Sequence, residues 1–227
     1  MRFKDVFSII GPSMIGPSSS HTAGAVRIGR AARQALGEQP LEAEISLYGS
    51  FAETYRGHGT DVALVSGLLD YGTDDERIPD ALSHAASAGM QVKFRAEKKP
   101  EVHPNTVSLS LGGSADRIRV KGCSIGGGNV EIVGIDRFDA RFGANQPTLL
   151  VFHEDRAGMI AEMSGILLSS QVNISHMQVD RESRNGAALT VIECDQLPGS
   201  EELRRLGEIA GVRKVRLIDL SEKEGTE

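Results

Sequence analysis

The sequence predicts an α+β protein built from a mixed α/β domain over residues 1–146 and a βαββαβ unit over 147–227. Three observations lead there. Short apolar runs alternate with segments of helical period along the chain; residues 147–227 carry one complete set of strand and helix signals; and the turn-rich stretch Gly143-Ala144-Asn145-Gln146-Pro147 separates the two parts.

In the first part, Ala25, Ile28, Ala32 and Ala35 repeat at helical spacing and predict a helix from near Thr22 to Gly37. Val62, Val65, Leu68 and Leu69 predict another that stops at Gly72, and a third is expected over about 80–88. Strands are expected at 43–48, 90–96, 106–111, 116–123 and 129–135, and local pattern does not order them in a sheet. In the second part, Thr148-Leu149-Leu150-Val151-Phe152 reads as a buried strand. Asp155 then reads as the cap of a helix on which Ile160, Met163 and Leu167 recur, closed by Gln171. Asn185-Gly186 is a strong turn signal between strands at 172–180 and 187–194. Pro198-Gly199-Ser200 starts a second helix, with Glu201 and Glu202 where the helix dipole favours acids; Gly211 ends it, and 212–220 supplies the last strand. This is the order of the ferredoxin-like, split βαβ unit.

With 227 residues, 40% of them hydrophobic, the chain can bury a real core. Its 25 basic and 31 acidic residues give a net charge of −6 with no basic block, so nucleic acid is not an expected partner. The N-terminal run MRFKDVFSIIGPSM is broken by Asp5 and Ser8 before it reaches the length of a secretory signal, and no later run approaches membrane-spanning length. A cytoplasmic location without membrane association is expected. Cys123 and Cys194 lie far apart in the sequence, whereas a cluster or zinc site needs three or four thiolate or imidazole ligands. No metal-ligating residue is expected in this chain.

The stretch Gly16-Pro17-Ser18-Ser19-Ser20-His21-Thr22-Ala23-Gly24 gathers four hydroxyls and an imidazole directly before the first amphipathic helix. A helix N-terminus presents unpaired N–H groups and partial positive charge, which suits a carboxylate or phosphate, and hydroxyls add donors. An N-cap explains one such residue, not five. No Gly-x-Ser-x-Gly elbow surrounds these serines, which argues against a serine hydrolase. A second stretch, Leu47-Tyr48-Gly49-Ser50-Phe51-Ala52 followed by Gly57-His58-Gly59-Thr60-Asp61, falls between a strand and the next helix. The glycines flanking His58 let backbone and ligand approach closely, and a histidine with an unperturbed pKa of ~6.5 is largely neutral at cytosolic pH and able to take a proton. A lone loop histidine is equally compatible with simple exposure. Pro104 stiffens the backbone between His103 and Asn105, which read either as a capped turn or as ligand contacts. Ser124-Ile125-Gly126-Gly127-Gly128 lacks the Lys-Ser/Thr of a phosphate loop and reads as a place of close backbone approach.

Asp155-Arg156-Ala157-Gly158 and Val172-Asn173-Ile174, in this element order, resemble the ACT domain, a regulatory module that binds an amino acid at the junction of paired copies. A structural unit without ligand is the alternative. Taken with Ile15 to Thr22, Gly57 to Asp61, His103-Pro104-Asn105-Thr106 and Ser124 to Gly128, the chain resembles, over nearly its whole length, the β subunits of the two-subunit bacterial iron–sulfur L-serine dehydratases.

That resemblance implies a partner α subunit whose cysteines hold a [4Fe–4S] cluster, with residues of the β subunit facing it. It implies loss of water from L-serine, the cluster iron polarising the hydroxyl, to give aminoacrylate and then pyruvate and ammonia. His58 is the implied base for the α-proton. Ser18, Ser19, Ser20, His21, Thr22, Gly59 and Thr60 are the implied substrate-binding set, His21 being either a contact or an orienter of the serines. The N-terminal domain is similar to the allosteric substrate-binding domain of some phosphoglycerate dehydrogenases. His103 and Asn105 are therefore candidate effector contacts, as are Asp155, Arg156, Gly158 and Asn173 of the ACT-like unit. Homo-association through that unit follows from the same resemblance, and a potassium requirement is left open. Two further readings use the same residues: a purely regulatory amino-acid-sensing subunit, and a phosphate-binding protein, for which Arg27 and Arg30 are the close bases.

Overall fold

Alternation of apolar and polar residues makes a one-sided sheet of the first part of the chain. The computed structural model describes residues 13–101 and 103–221. In it β1 (Glu42–Leu47), β2 (Gln91–Ala96), β3 (Thr106–Gly112), β4 (Arg117–Gly126) and β5 (Asn129–Ile135) lie in the order β2-β1-β3-β4-β5. β1 is parallel to β2 and antiparallel to β3, which is antiparallel to β4. Ala43, Ile45, Leu47, Val107, Leu109, Leu111, Ile118, Val120, Val130 and Ile132 turn inward and are buried. Each larger aliphatic side chain among them contributes about 1.5–3 kcal/mol.

Helix α1 (Gly24–Leu36) packs on β3 and β4, where Gly122 leaves room for Ile28; a Cβ at that glycine would stand 3.2 Å from the isoleucine side chain. A short α2 (Gly49–Thr54) follows β1, and α3 (Thr60–Leu68) lies against α1. The approach of α1 and α3 is backbone to backbone. A Cβ on Gly67 would fall 2.2 Å from the Val26 carbonyl, and one on Gly29 2.3 Å from that of Leu64. Arg33 donates to the Leu68 carbonyl at 2.8 Å and Arg30 pairs with Asp70, so both helices start at one end and finish at the other. Helix α4 (Ala81–Ser87) completes the unit. The helix expected to reach Gly72 stops at Leu68, because Asp70 takes a left-handed conformation (φ 65°).

The second unit holds β6 (Phe138–Phe142), β7 (Thr148–Glu154), α5 (Met159–Ser169), β8 (Ile174–Arg181), β9 (Ala187–Cys194), α6 (Ser200–Glu208) and β10 (Val212–Ile218). Its sheet is antiparallel in the order β10-β7-β9-β8, and Leu149, Val151, Met159, Met163, Leu167, Ile192, Cys194 and Leu206 form its core. The chain divides compactly at 133/134, ahead of the turn-rich stretch. In the second unit the Asp139 and Arg141 N–H groups of β6 donate to the side chains of Asp180 (2.8 Å) and Gln178 (3.1 Å) on β8, and Gln178 donates back to the Asp139 carbonyl.

Two local expectations are corrected here. Asp155 does not cap α5, which begins four residues later behind Gly158 in a left-handed conformation (φ 85°). Its carboxylate accepts instead from the Asn185 N–H (3.0 Å) and from Arg181 (2.9 Å), tying the β7–α5 loop to the hairpin turn. On this helix Met159 joins Met163 and Leu167 inside, while Ile160, expected on the buried face, is exposed. No described helix is long and apolar enough to cross a membrane.

Candidate active site

Several loops of the first unit meet at the end of the sheet where β1 stops and β3 begins. The first precedes α1. Ser18 is extended (φ −148°, ψ 124°) and its Oγ accepts the His21 N–H at 3.2 Å, after which Ser19–Ala23 wind as a π-turn. Gly16 (φ 124°) lies against Thr22 so closely that a Cβ would be 2.4 Å from its methyl group. Thr73 anchors the approach, donating to the Ser13 carbonyl (2.6 Å) and accepting the Ile15 N–H at its own carbonyl (2.9 Å). π-turns at a helix start are rare and gather at functional sites.

This turn sorts the serines. Ser18 is engaged as the cap, whereas the half-buried Ser19 and Ser20 hydroxyls make no hydrogen bond among the described residues. Thr22 is buried, as is Thr60 at the start of α3, and neither hydroxyl has a partner among the described residues.

His58 lies in the exposed turn between α2 and α3, followed by Gly59 in a left-handed conformation (φ 68°) that a side chain would strain. Its N–H donates to the Thr54 carbonyl (3.0 Å), while its imidazole makes no hydrogen bond among the described residues. It meets His21 edge-on, the ring centroids 4.9 Å apart at 86°. The His21 ring lies between Ser18 Oγ (3.4 Å from Nδ1) and Ser50 Oγ (3.2 Å from Nε2). Burial, and then the facing His58, lower the His21 pKa below the ordinary histidine value, which favours the neutral ring.

The His103–Thr106 turn borders the same place. A Cβ on Gly49 would stand 2.6 Å from the Pro104 carbonyl, and the Tyr48 N–H donates to that of Thr106 (3.0 Å). The Asn105 N–H donates to His103 Nδ1 (3.1 Å), its side chain donates to the Ser124 carbonyl (3.4 Å), and Ser124 in turn sits against Gly24, where a Cβ would be 2.2 Å from its Oγ. The structure thus gathers Ser18, Ser19, Ser20, His21, Thr22, His58, Gly59, Thr60, His103 and Asn105 in one neighbourhood. Ser50 and Phe51 were visible only as parts of a motif, because the 29-residue separation from His21 to Ser50 carries no local signal.

Asp155, Arg156, Gly158 and Asn173 belong to the second unit, and there they separate. Arg156 pairs with Glu162 (2.8 Å) and donates to the Ala210 carbonyl (2.9 Å), beyond the end of β7 where Glu154 faces Ala187. Asn173 bonds Asp195 (2.6 Å) at the opposite end of β8, where Ile174 faces Cys194. Eight residues of strand, roughly 25 Å, lie between those ends.

The residues present do not fit an iron–sulfur cluster. Cys123 and Cys194 are both buried, and burial pushes the Cys194 thiol up to about 11, away from the thiolate a cluster binds. Among the described residues no three His, Cys, Asp or Glu side chains gather to hold a metal ion.

The chain matches the family model for the serine dehydratase beta chain over residues 3–93 and that for the ACT domain over 147–211. It is 46% identical to a probable L-serine dehydratase, beta chain, of Bacillus subtilis, over 96% of this chain and 99% of that one. Identity to the L-serine dehydratase, beta chain, of Peptoniphilus asaccharolyticus is 35%, over 87% and 90% of the two chains. A D-3-phosphoglycerate dehydrogenase of Bacillus subtilis is 25% identical over 86% of this chain but 37% of its own length. Similarity of this extent, joined to a histidine pair and a serine turn at the mouth of an α+β domain, makes the chain a member of the L-serine dehydratase beta-chain family with a C-terminal ACT domain.

Proposed function

We propose that this chain, in complex with a cysteine-bearing α subunit, converts L-serine to pyruvate and ammonia in the cytoplasm. The observation that carries the reading is the histidine pair: an exposed His58 whose ring makes no hydrogen bond among the described residues, set against a His21 whose ring nitrogens face two serines. His58 takes the α-proton of bound L-serine, the Cβ hydroxyl departs, and the resulting aminoacrylate tautomerises and hydrolyses. The Ser19 and Ser20 hydroxyls, which make no hydrogen bond among the described residues, hold the carboxylate with N–H groups of the π-turn. Thr22, Gly59 and Thr60 complete the substrate-binding set, and His103 and Asn105, at its border, are the effector contacts of this domain. The [4Fe–4S] cluster is assigned to the α subunit, since the described residues here do not fit it. Pyruvate formation by the αβ complex, and its loss in His58→Ala, test the reading.

The serine assignment has its own outcome. Carboxylate binding is shared by ground and transition states, so Ser19→Ala and Ser20→Ala should raise KM for L-serine more than they lower kcat. Steady-state kinetics of the αβ complex check this, and a kcat loss at unchanged KM would remove both serines from the binding role.

The match to the ACT domain from residue 147 supports a domain boundary at 146/147, thirteen residues past the compact division at 133/134. Because Asp155, Arg156 and Gly158 lie at one end of the sheet and Asn173 at the other, an effector touching all four must bridge two copies. β8 and β10 are the sheet edges, and unpaired edges favour such pairing. Val179 on β8 is 44% exposed. Val179→Asp should therefore halve the mass of the complex in light scattering; an unchanged mass would exclude the β8 edge as the assembly surface.

A further inference from the structure

His21 is held from more sides than a substrate contact requires. Ser18 Oγ faces Nδ1 at 3.4 Å and Ser50 Oγ faces Nε2 at 3.2 Å. The ring also stands edge-on to the fully buried Phe51, with centroids 5.2 Å apart at 68°. Rotating the imidazole out of this plane would break its contact with both hydroxyls. Ser18 belongs to the same turn and is already the acceptor of the His21 N–H, whereas Ser50 comes from a different element.

Helix α2 delivers Ser50 to this place and holds it there. Gly49, at φ 52°, presses its backbone against Pro104, closer than any side chain would allow, and Phe51 anchors the helix in the core. The same six residues also hold the backbone of the other histidine. Thr54 Oγ1 donates to the Ser50 carbonyl (2.8 Å), and the Thr54 carbonyl accepts the His58 N–H (3.0 Å). One helix therefore sets both members of the histidine pair.

We propose that Ser50 is a positioning residue of this site, its hydroxyl fixing, opposite that of Ser18, the ring plane of His21 and with it the way His21 faces His58. The proposal rests on the reading of His58 as the base. When His58 accepts the α-proton it becomes a cation, and its neighbour must then remain neutral, since a second charge at 4.9 Å would oppose the transfer. Around His21 stand, among the described residues, Ser50 and Phe51 of α2 and Ser18 of its own turn, all uncharged, and one titratable group, His58. A neutral ring has one N–H to give, so one serine accepts from it and the other donates to it. Without Ser50 the Nε2 side loses its partner and the ring gains freedom to turn toward water.

Ser50→Ala and Ser50→Thr decide the matter in two measurements. In the αβ complex, Ser50→Ala should lower kcat by about 10–100-fold with little change in KM, as a misplaced group does, and Ser50→Thr, which keeps the hydroxyl, should restore most of it. In the full-length chain labelled with 15N-histidine, the His21 titration should move up toward the ordinary histidine range in Ser50→Ala and stay lowered in Ser50→Thr. An unchanged His21 titration and unchanged kcat in Ser50→Ala would overturn the proposal, even where His58→Ala is inactive and the base reading stands. Full activity of His58→Ala would instead overturn the base reading, while the titration still judges Ser50. Should Ser50→Ala fail to fold, Ser50→Cys takes its place with the same outcomes.

Discussion

An αβ complex carrying His58→Ala should turn over L-serine with kcat lowered by about 10²–10⁴-fold, the span a general base contributes. The fold should survive the change, because the imidazole makes no hydrogen bond among the described residues and the turn is held by backbone contacts and by the left-handed Gly59. His21 will not replace His58, since both its nitrogens face serines and its pKa is already lowered by burial. Near-normal kcat at saturating serine, with an altered response to amino-acid effectors alone, would show that the chain regulates the chemistry without performing it. Such a result would favour the purely regulatory reading of the sequence.

The purified chain alone should be colourless, free of iron and inactive toward L-serine. Activity should appear on anaerobic co-expression with an α partner carrying clustered cysteines, from a background indistinguishable from zero. The physical basis is the state of the two thiols: both are buried, and burial holds Cys194 protonated far above neutral pH. Iron analysis, the absorption spectrum and a pyruvate assay check the three parts separately. Pyruvate formed from L-serine by this chain alone after metal removal would end the subunit reading.

Much of the fold was legible because its signals are local. The five strands expected in the first part of the chain lie within two residues of their expected ends, except that β4 runs on to Gly126, and the βαββαβ order from β7 to β10 follows from hydrophobic period and glycine stops. The misses are short or conformationally unusual elements. Helix α2 has six residues, too few to show a period, and the π-turn at Ser19–Ala23 reads locally as an ordinary helix start. β6 escaped the sequence reading, and the side chains of Gln178 and Asp180 that accept from its N–H groups lie some forty positions away.

The candidate site divides along the same line. Residue chemistry alone marked Ser18 to Thr22 and the Gly57–Asp61 loop as polar groups at helix starts, and excluded a resident cluster by counting cysteines. Only tertiary structure could decide which hydroxyls are free and which are engaged. It made Ser18 a cap, left Ser19 and Ser20 without a side-chain hydrogen bond among the described residues, set His21 beside His58, and brought Ser50 to it. It also placed Asn173 at the far end of β8 from Asp155. The reason is the range of the interactions: capping, turn formation and helical period act over a few residues and are written in the chain, whereas the approach of His21 to His58 depends on helices α1 and α3 closing to backbone contact at Gly29 and Gly67, a distance that no local pattern records.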